Sequence, residues 1–355
     1  MSDVRRLTPL AATVAIVVAV ALLGLAGTEV FQRTVTTALI YVTAVVALYV
    51  FAGNSGIVSF GHVAFMAIGA YTAGLLTIPS GLKQVTLPNL YGFIANTTVS
   101  ADVALLIGGV VAALFALVVA VPLMRLNGIA AAIGTFSLLV IVYVVAGNWY
   151  DLTNGTQTLV GVPAVVDIEM ALPWLILVLA LAFAYQESRW GRRLRSTREE
   201  LLAAQATGVR VAKERTIAFV LSAFCAGVAG GLLGLFLGAF GPQQFYFDLT
   251  FLTVAMLIIG GLRSLSGAVV GALVVATLSE LLTRFEEHGI DVLGVGVHPR
   301  PGLREILLAA LMLTILVLRP QGITGGRELS WPRLRSRRPR AEAAQPVAPA
   351  ARPTP

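Results

Sequence analysis

Long apolar runs separated by short polar stretches recur along this chain. They lie near residues 8–27, 34–53, 59–79, 102–122, 129–146, 171–186, 216–239, 249–262, 265–282 and 303–319. Most reach the ~20 residues a helix needs to cross a hydrocarbon core about 30 Å thick. The runs are nearly continuous, without the period-two alternation of a membrane-spanning barrel strand. The pattern therefore predicts an all-α polytopic membrane protein of about ten transmembrane helices. Runs 171–186 and 249–262 are short, which predicts tilted, broken or re-entrant spans. The first run follows Arg5 and Arg6. It is too long for a signal peptide and lacks a small-residue cleavage site leading into polar sequence, so it is read as a retained anchor.

Composition agrees. Of 355 residues, 57% are hydrophobic and 12% charged, against about 25% charged in an average soluble chain. Mean hydropathy is +0.86. A soluble pair of domains could not keep so much apolar side chain from water. The 35 glycines are expected where helices pack closely in lipid.

The net charge of +7 is unevenly placed, and its placement orients the chain. With the N-terminus inside and ten spans threaded, the inner loops hold Arg125, Arg263 and an eight-cation cluster at 187–215. That cluster is Arg189, Arg192, Arg193, Arg195, Arg198, Arg210, Lys213 and Arg215. The outer loops hold Arg33 and Lys83, with Arg284 and Arg300 beside Glu286, Glu287 and Asp291, and the loop at 147–170 has no Lys or Arg. Ten spans with both termini cytoplasmic satisfies the positive-inside rule. Nine or eight spans with re-entrant segments is the alternative. Residues 1–326 then form the membrane domain. Residues 327–355 form a basic, Pro- and Ala-rich tail expected to be disordered, which either meets anionic headgroups or simply enforces topology.

Chemistry is scarce. Asp102, Asp248, Glu280, Arg284, Arg304 and Glu305 fall at or near predicted span ends, leaving the middles of the spans nearly uncharged. A proton- or ion-coupled carrier normally needs ionisable groups there. The chain has no GxxxxGK[ST] loop, GxSxG elbow or HExxH zinc motif. Its one cysteine, Cys225, lies in an apolar stretch, and His62, His288 and His298 have no zinc spacing. The expectation is a non-enzyme that binds no metal or cofactor itself and takes its driving force from a partner.

The docking point for such a motor is sought in residues 188–219. Thr197 with Glu200, and Ser196 with Glu199, fit capping boxes. Leu201 to Ala206 are good helix formers, and Gly208 suits a left-handed C′ position. This predicts a short helix between two spans, flanked by arginines, with Ala203 and Ala204 letting a partner approach closely. The same features fit a solvated juxtamembrane helix.

From here the sequence resembles a family. Ala203-Ala204-x-x-x-Gly208 is similar to the coupling loop of ATP-binding-cassette importer permeases, which has Glu where this chain has Leu202; Glu199 and Glu200 lie just upstream. GNSGIVSFGHVAFMAIGAYTAGLL (53–76), the block at 127–163, the coupling region at 191–234, and FLTVAMLIIGGLRSLSGAVVGALVV (251–275) resemble, in order, branched-chain amino acid ABC transporter permeases. The likeness is to their M-type inner-membrane subunit. In the second block Asn154-Gly155 stands where the family often has Gly-Gly. The resemblance implies a type II importer-like bundle in a prokaryotic inner membrane. It also implies a second homologous permease, two cytoplasmic ATPases that use ATP and Mg, an external solute-binding protein, and no nucleic-acid partner. Urea and short-amide permeases are close relatives, and a passive facilitator remains an alternative.

Two glycine-rich segments stand out, Gly53–Gly74 and Gly260–Gly271. Glycine costs about 1 kcal/mol relative to alanine within a helix, which close helix crossing can offset. Gly56, Ser59, Gly61 and His62 in the first, and Gly260, Gly261 and Ser264 in the second, are the pathway or packing candidates. A loose likeness between the segments suggests an inverted pair of broken helices, with plain close packing as the competing account. His62 is read as a packed, hydrogen-bonded neutral residue.

Overall fold

The computed structural model describes residues 2–288, 290–292, 295–297, 302–319, 321–326 and 328. The expectations for His298, Arg300 and the tail other than Glu328 lie outside them. The helices run α1 Ser2–Leu25, α2 Glu29–Ser55, α3 His62–Thr77, α4 Ser80–Thr86, α5 Gly92–Ala95, α6 Ala101–Leu123, α7 Gly128–Asn148 and α8 Tyr150–Thr153. They continue with α9 Ile168–Glu187, α10 Arg189–Glu199, α11 Leu201–Ala206, α12 Val211–Leu237, α13 Phe247–Gly260, α14 Leu265–His288 and α15 Leu303–Leu318. A small antiparallel hairpin pairs β1 Ile290–Val292 with β2 Val295–Val297.

Each of the ten apolar runs is helical, yet among the described residues only eight helical segments are long and apolar enough to span a bilayer, or nine if the pair α3 and α4, bent by 117°, counts as one. Two shortfalls explain the difference from ten: α3 and α15 have 16 residues each. The run at 171–186 is not short. Asp167 caps the helix, its side chain accepting from the Met170 N–H at 2.9 Å, and α9 has 20 residues. The run at 249–262 yields a 14-residue helix, lengthened by a 3-10 turn at Pro242–Phe245.

Burial sorts the helices as their sequences suggest. α2 and α12 carry apolar residues around most of their circumference and are buried, as is α3, which packs on α12 and α6. α6 and α7 instead turn large apolar side chains outward, among them Leu114, Val118 and Val121 on α6 and Ile129, Ile133 and Ile141 on α7. Such a surface suits lipid. At the centre, α3, α6 and α12 cross at backbone contact. A Cβ added to Gly230 would lie 1.9 Å from the Met66 carbonyl oxygen, and one on Gly69 would lie 2.0 Å from that of Gly227. Only glycine permits this approach.

The predicted inner loops gather at one end of the bundle. Arg198 Nη1 donates to the Gly53 carbonyl at 2.6 Å, tying α10 to the end of α2. Arg215 Nη1 donates to the Leu126 carbonyl at 3.0 Å, tying α12 to the α6–α7 turn. The α13–α14 turn is clasped there by the chain after α15. Ile323 N–H donates to the Ile259 carbonyl and Thr324 N–H to that of Gly260, at 2.8 and 3.2 Å. Glu328, assigned from sequence to the tail, accepts from the Leu265 and Ser266 N–H groups at 2.9 and 3.1 Å. Its carboxylate thereby satisfies free donors at the start of α14 and sits at the positive end of the helix dipole. Replacing Glu328 with Ala is expected to cost about 1–2 kcal/mol, read as a lower thermal midpoint in detergent; an unchanged midpoint would remove the cap from the account.

Candidate functional site: a broken span and a basic elbow

The chain between α2 and α3 re-enters the bundle as extended backbone. α2 ends where Gly56 turns left-handed, φ 74°, beside the Arg198 side chain. Six residues later α3 begins at His62, whose Nε2 lies 2.6 Å from Ser222 Oγ; that hydroxyl donates to the Ala47 carbonyl. Ala47 is eight residues before the end of α2, about 12 Å at the helical rise. Residues 56–61 therefore enter the membrane as non-helical backbone, and α3 starts well inside it. Such backbone is tolerated where protein surrounds it or a cavity is lined.

His62 fixes this start. Because the Ser222 proton goes to Ala47, Nε2 must carry the hydrogen donated to Ser222. Nδ1 then accepts from Ser59 Oγ at 2.8 Å. The rings of Phe51, Phe65 and Phe219 enclose the imidazole. Among the described residues no carboxylate contacts it, so a charge there would be uncompensated, and the ring is neutral. Gly61 passes so close to α7 that an added Cβ would be 2.6 Å from the Thr135 carbonyl oxygen. His62→Leu removes both ring bonds and strands the Ser59 hydroxyl. The expected loss is about 1–3 kcal/mol, measured as a fall in thermal midpoint; equal midpoints would sink this role.

The second glycine segment differs. Gly260 approaches α14 until an added Cβ would lie 2.0 Å from the Gly267 carbonyl oxygen. Gly261, at φ 123°, makes a tight turn, and Ser264 Oγ accepts from the Gly267 N–H at 2.7 Å. Leu262 O lies beside Gly53, so this turn sits at the basic end. The expected inverted pair is thus one re-entrant break and one terminal turn.

Between these segments runs an aromatic wall that sequence reading did not single out. Phe60 meets Phe136 and Phe251 at centroid distances of 6.4 and 6.2 Å. Phe247 stacks on Phe136 at 5.5 Å and on Tyr246 at 3.8 Å, and Tyr143 stacks on Tyr246 at 3.9 Å. Phe136 and Tyr143 lie eight and fifteen residues into α7, about 12 and 22 Å from its start, so the wall covers the middle of the bilayer. Phe251 is 55% exposed, and Tyr143 Oη donates to Gln243 Oε1 at 2.7 Å. The available signals were an i, i+7 pair on α7 and an i, i+4 pair on α13, which each place aromatics on one helix face.

At the basic end, α10 and α11 form an elbow. Ser188 caps α10, its Oγ accepting from the Gly191 N–H at 3.2 Å, and Gly191, Leu194 and Thr197 turn inward. The helix thus starts well before Ser196, and the predicted capping boxes do not form. Thr197 Oγ1 donates back to the Leu194 carbonyl at 2.7 Å, and Glu200, extended at φ −150°, makes the bend without a side-chain cap. Glu199 is exposed and accepts from Arg198 at 2.9 Å; that guanidinium holds its carboxyl below the usual carboxylate range. Gly208 does take the left-handed position, φ 84°, as the Val209 and Gly208 N–H groups donate to the carbonyls of Ala204 and Gln205 at 3.1 and 2.9 Å. The alanine pair splits: Ala204 is buried, Ala203 is exposed, and Leu202 stands 72% exposed beside it. Below the elbow, Tyr49 Oη donates to Gln186 Oε1 at 2.8 Å, and Gln186 Nε2 donates to Glu328 at 3.2 Å.

The family described as "Branched-chain amino acid transport system / permease component" matches residues 30–316. The chain belongs to this family. Among curated relatives, the high-affinity branched-chain amino acid transport system permease protein LivM of Escherichia coli K12 is 25% identical over 322 residues, covering 81% of this chain and 68% of the relative. The probable branched-chain amino acid transport permease protein LivH of Methanocaldococcus jannaschii is 30% identical over 164 residues, covering 45% and 48% of the two chains. The permease protein BraD of Pseudomonas aeruginosa is 30% identical over 155 residues, covering 43% and 46%. No solved structure matches significantly. The broken third span, the aromatic wall and the elbow all lie within the part of this permease that matches the family.

Proposed function

We propose that this permease is one half of the pathway of an ATP-binding-cassette importer for branched-chain amino acids, delivered by an external solute-binding protein. The basic end faces the cytoplasm of a prokaryote, with both termini there and the bundle in the inner membrane. A second, homologous permease closes the pathway against the aromatic wall. Two cytoplasmic ATPases supply ATP and Mg chemistry, and this chain catalyses nothing itself. Family membership supports the substrate class, and the uncharged wall suits an aliphatic side chain.

The observation that carries the motor-driven reading is α11, a two-turn helix held at the basic end with Leu202 and Ala203 turned outward and arginines around it. A passive facilitator has no use for such an element. The test is co-expression with the partner permease and ATPase chains, then reconstitution in liposomes. ATP hydrolysis that rises with leucine-loaded binding protein, together with leucine accumulation, is the expected outcome. Leucine flux through this chain alone, without ATP, would overturn the reading.

A further inference from the structure

Behind α11 lies a cavity of about 570 Å³, lined among others by Arg125 of the α6–α7 turn, Asn127, Arg210, Lys213 and Arg215. Four cations converge there, and no carboxylate is among the lining residues. Arg215 is the fixed floor. It is only 6% exposed and donates Nη1 to Leu126 O at 3.0 Å and Asn127 Oδ1 at 2.7 Å, while its buried Nε has no partner. That nitrogen is sealed from the cavity, and it is the four cations lining the cavity, with no carboxylate among them, that call for an anion. Arg125, Arg210 and Lys213 are exposed at the mouth.

The surroundings specify the anion. Met124, Val209 and Val211 line the same cavity. On the same two helices and the turn that joins them, Val118 and Val121 of α6, Leu126 of the turn and Ile129 of α7 are exposed apolar side chains, Val118 72% and Ile129 80%. A ligand that fits both parts has a phosphate for the cations and acyl chains for the adjoining surface. We infer that this cavity holds the phosphate headgroup of an anionic phospholipid, bridging the α6–α7 turn and the root of α12 directly behind the docking helix. Basic pockets between helices at the cytoplasmic face recognise such lipids by charge and shape together.

The test is native mass spectrometry of lipids retained by the full chain from nanodiscs containing equal parts phosphatidylglycerol and phosphatidylcholine. Nanodiscs expose both faces, so the result does not depend on sidedness or on what is transported. The wild type should retain phosphatidylglycerol selectively. Each neutralised cation should weaken retention about fivefold, so the double variant Arg125→Gln with Lys213→Gln should retain about 25-fold less. Both side chains are exposed, and an unchanged thermal midpoint in pure phosphatidylcholine will confirm an intact fold. The charge-matched pair Arg189→Gln with Arg192→Gln, on α10 away from the cavity, should retain lipid as the wild type does. Three results would each overturn the inference: no preference in the wild type, equal loss in the α10 control, or displacement of the lipid by inorganic phosphate alone, which would make the site one for free phosphate.

Discussion

Gly230→Leu should yield no stable permease. A Cβ there meets the carbonyl oxygen, carbonyl carbon and Cα of Met66 at 1.9 to 2.4 Å. All three are helix backbone, so no rotamer change relieves the clash and α12 must move away from α3. Overpacking that side chains can absorb costs about 1–3 kcal/mol. Separating two central helices should exceed about 4 kcal/mol, a large part of the 5–15 kcal/mol that holds typical domains together. Detergent extracts should show loss of monodisperse protein, whereas Gly92→Ala, where nothing lies within 4 Å, should behave as wild type. A well-folded Gly230→Leu protein with a normal midpoint would refute the crossing.

Ala203→Glu should abolish ATP-driven uptake while leaving the folded chain intact, and Ala204→Glu should damage the fold itself. The two residues differ by one position on a six-residue helix, yet Ala203 is exposed and Ala204 is 5% exposed. On the docking proposed for α11, a carboxylate at the exposed position 203 is forced against the ATPase surface beside Leu202. Uptake is expected to fall at least about tenfold, the result of losing about 1.4 kcal/mol or more of docking energy. At 204 the new charge must enter the bundle end or unwind α11, at a cost of several kcal/mol. Uptake and thermal midpoint, measured together on both variants, separate the cases. Full uptake by the Ala203 variant would show that α11 does not face the motor.

Much of this was legible beforehand. The apolar runs mark every major helix, because a ~20-residue window of hydropathy needs no knowledge of neighbours. The Lys and Arg pattern groups the same loops that the structure gathers at one end. Gly208 announced its left-handed turn because few other residues adopt it. The break before His62 was suggested only by glycines, since an extended stretch inside a membrane is stabilised by distant residues such as Ser222 and Ala47 that no local pattern links to it. The capping boxes at Ser196 and Thr197 failed because Ser188 starts the helix eight residues earlier, and the burial of Leu194 keeps it running. The aromatic wall joins residues 60, 136, 143, 246, 247 and 251, which come together only after the chain has folded. Gly227-x-x-x-Gly231 and Gly230-x-x-x-Gly234 were readable as close-packing pairs, but only the structure shows that they meet α3 and α6.

The clasp at Glu328 also bears on how the protein is made. The first turn of α14 leaves the ribosome some sixty residues before the carboxylate that completes it, so the α13–α14 corner must wait, its amide donors unsatisfied, until α15 has been threaded and its following segment has folded back. Residues Ile323, Thr324 and Glu328 would therefore act as a closing stitch in biogenesis. A chain interrupted between α14 and Glu328 is born with an open corner at the same end that a motor would have to grip, and quality-control proteases can recognise it before it joins a complex.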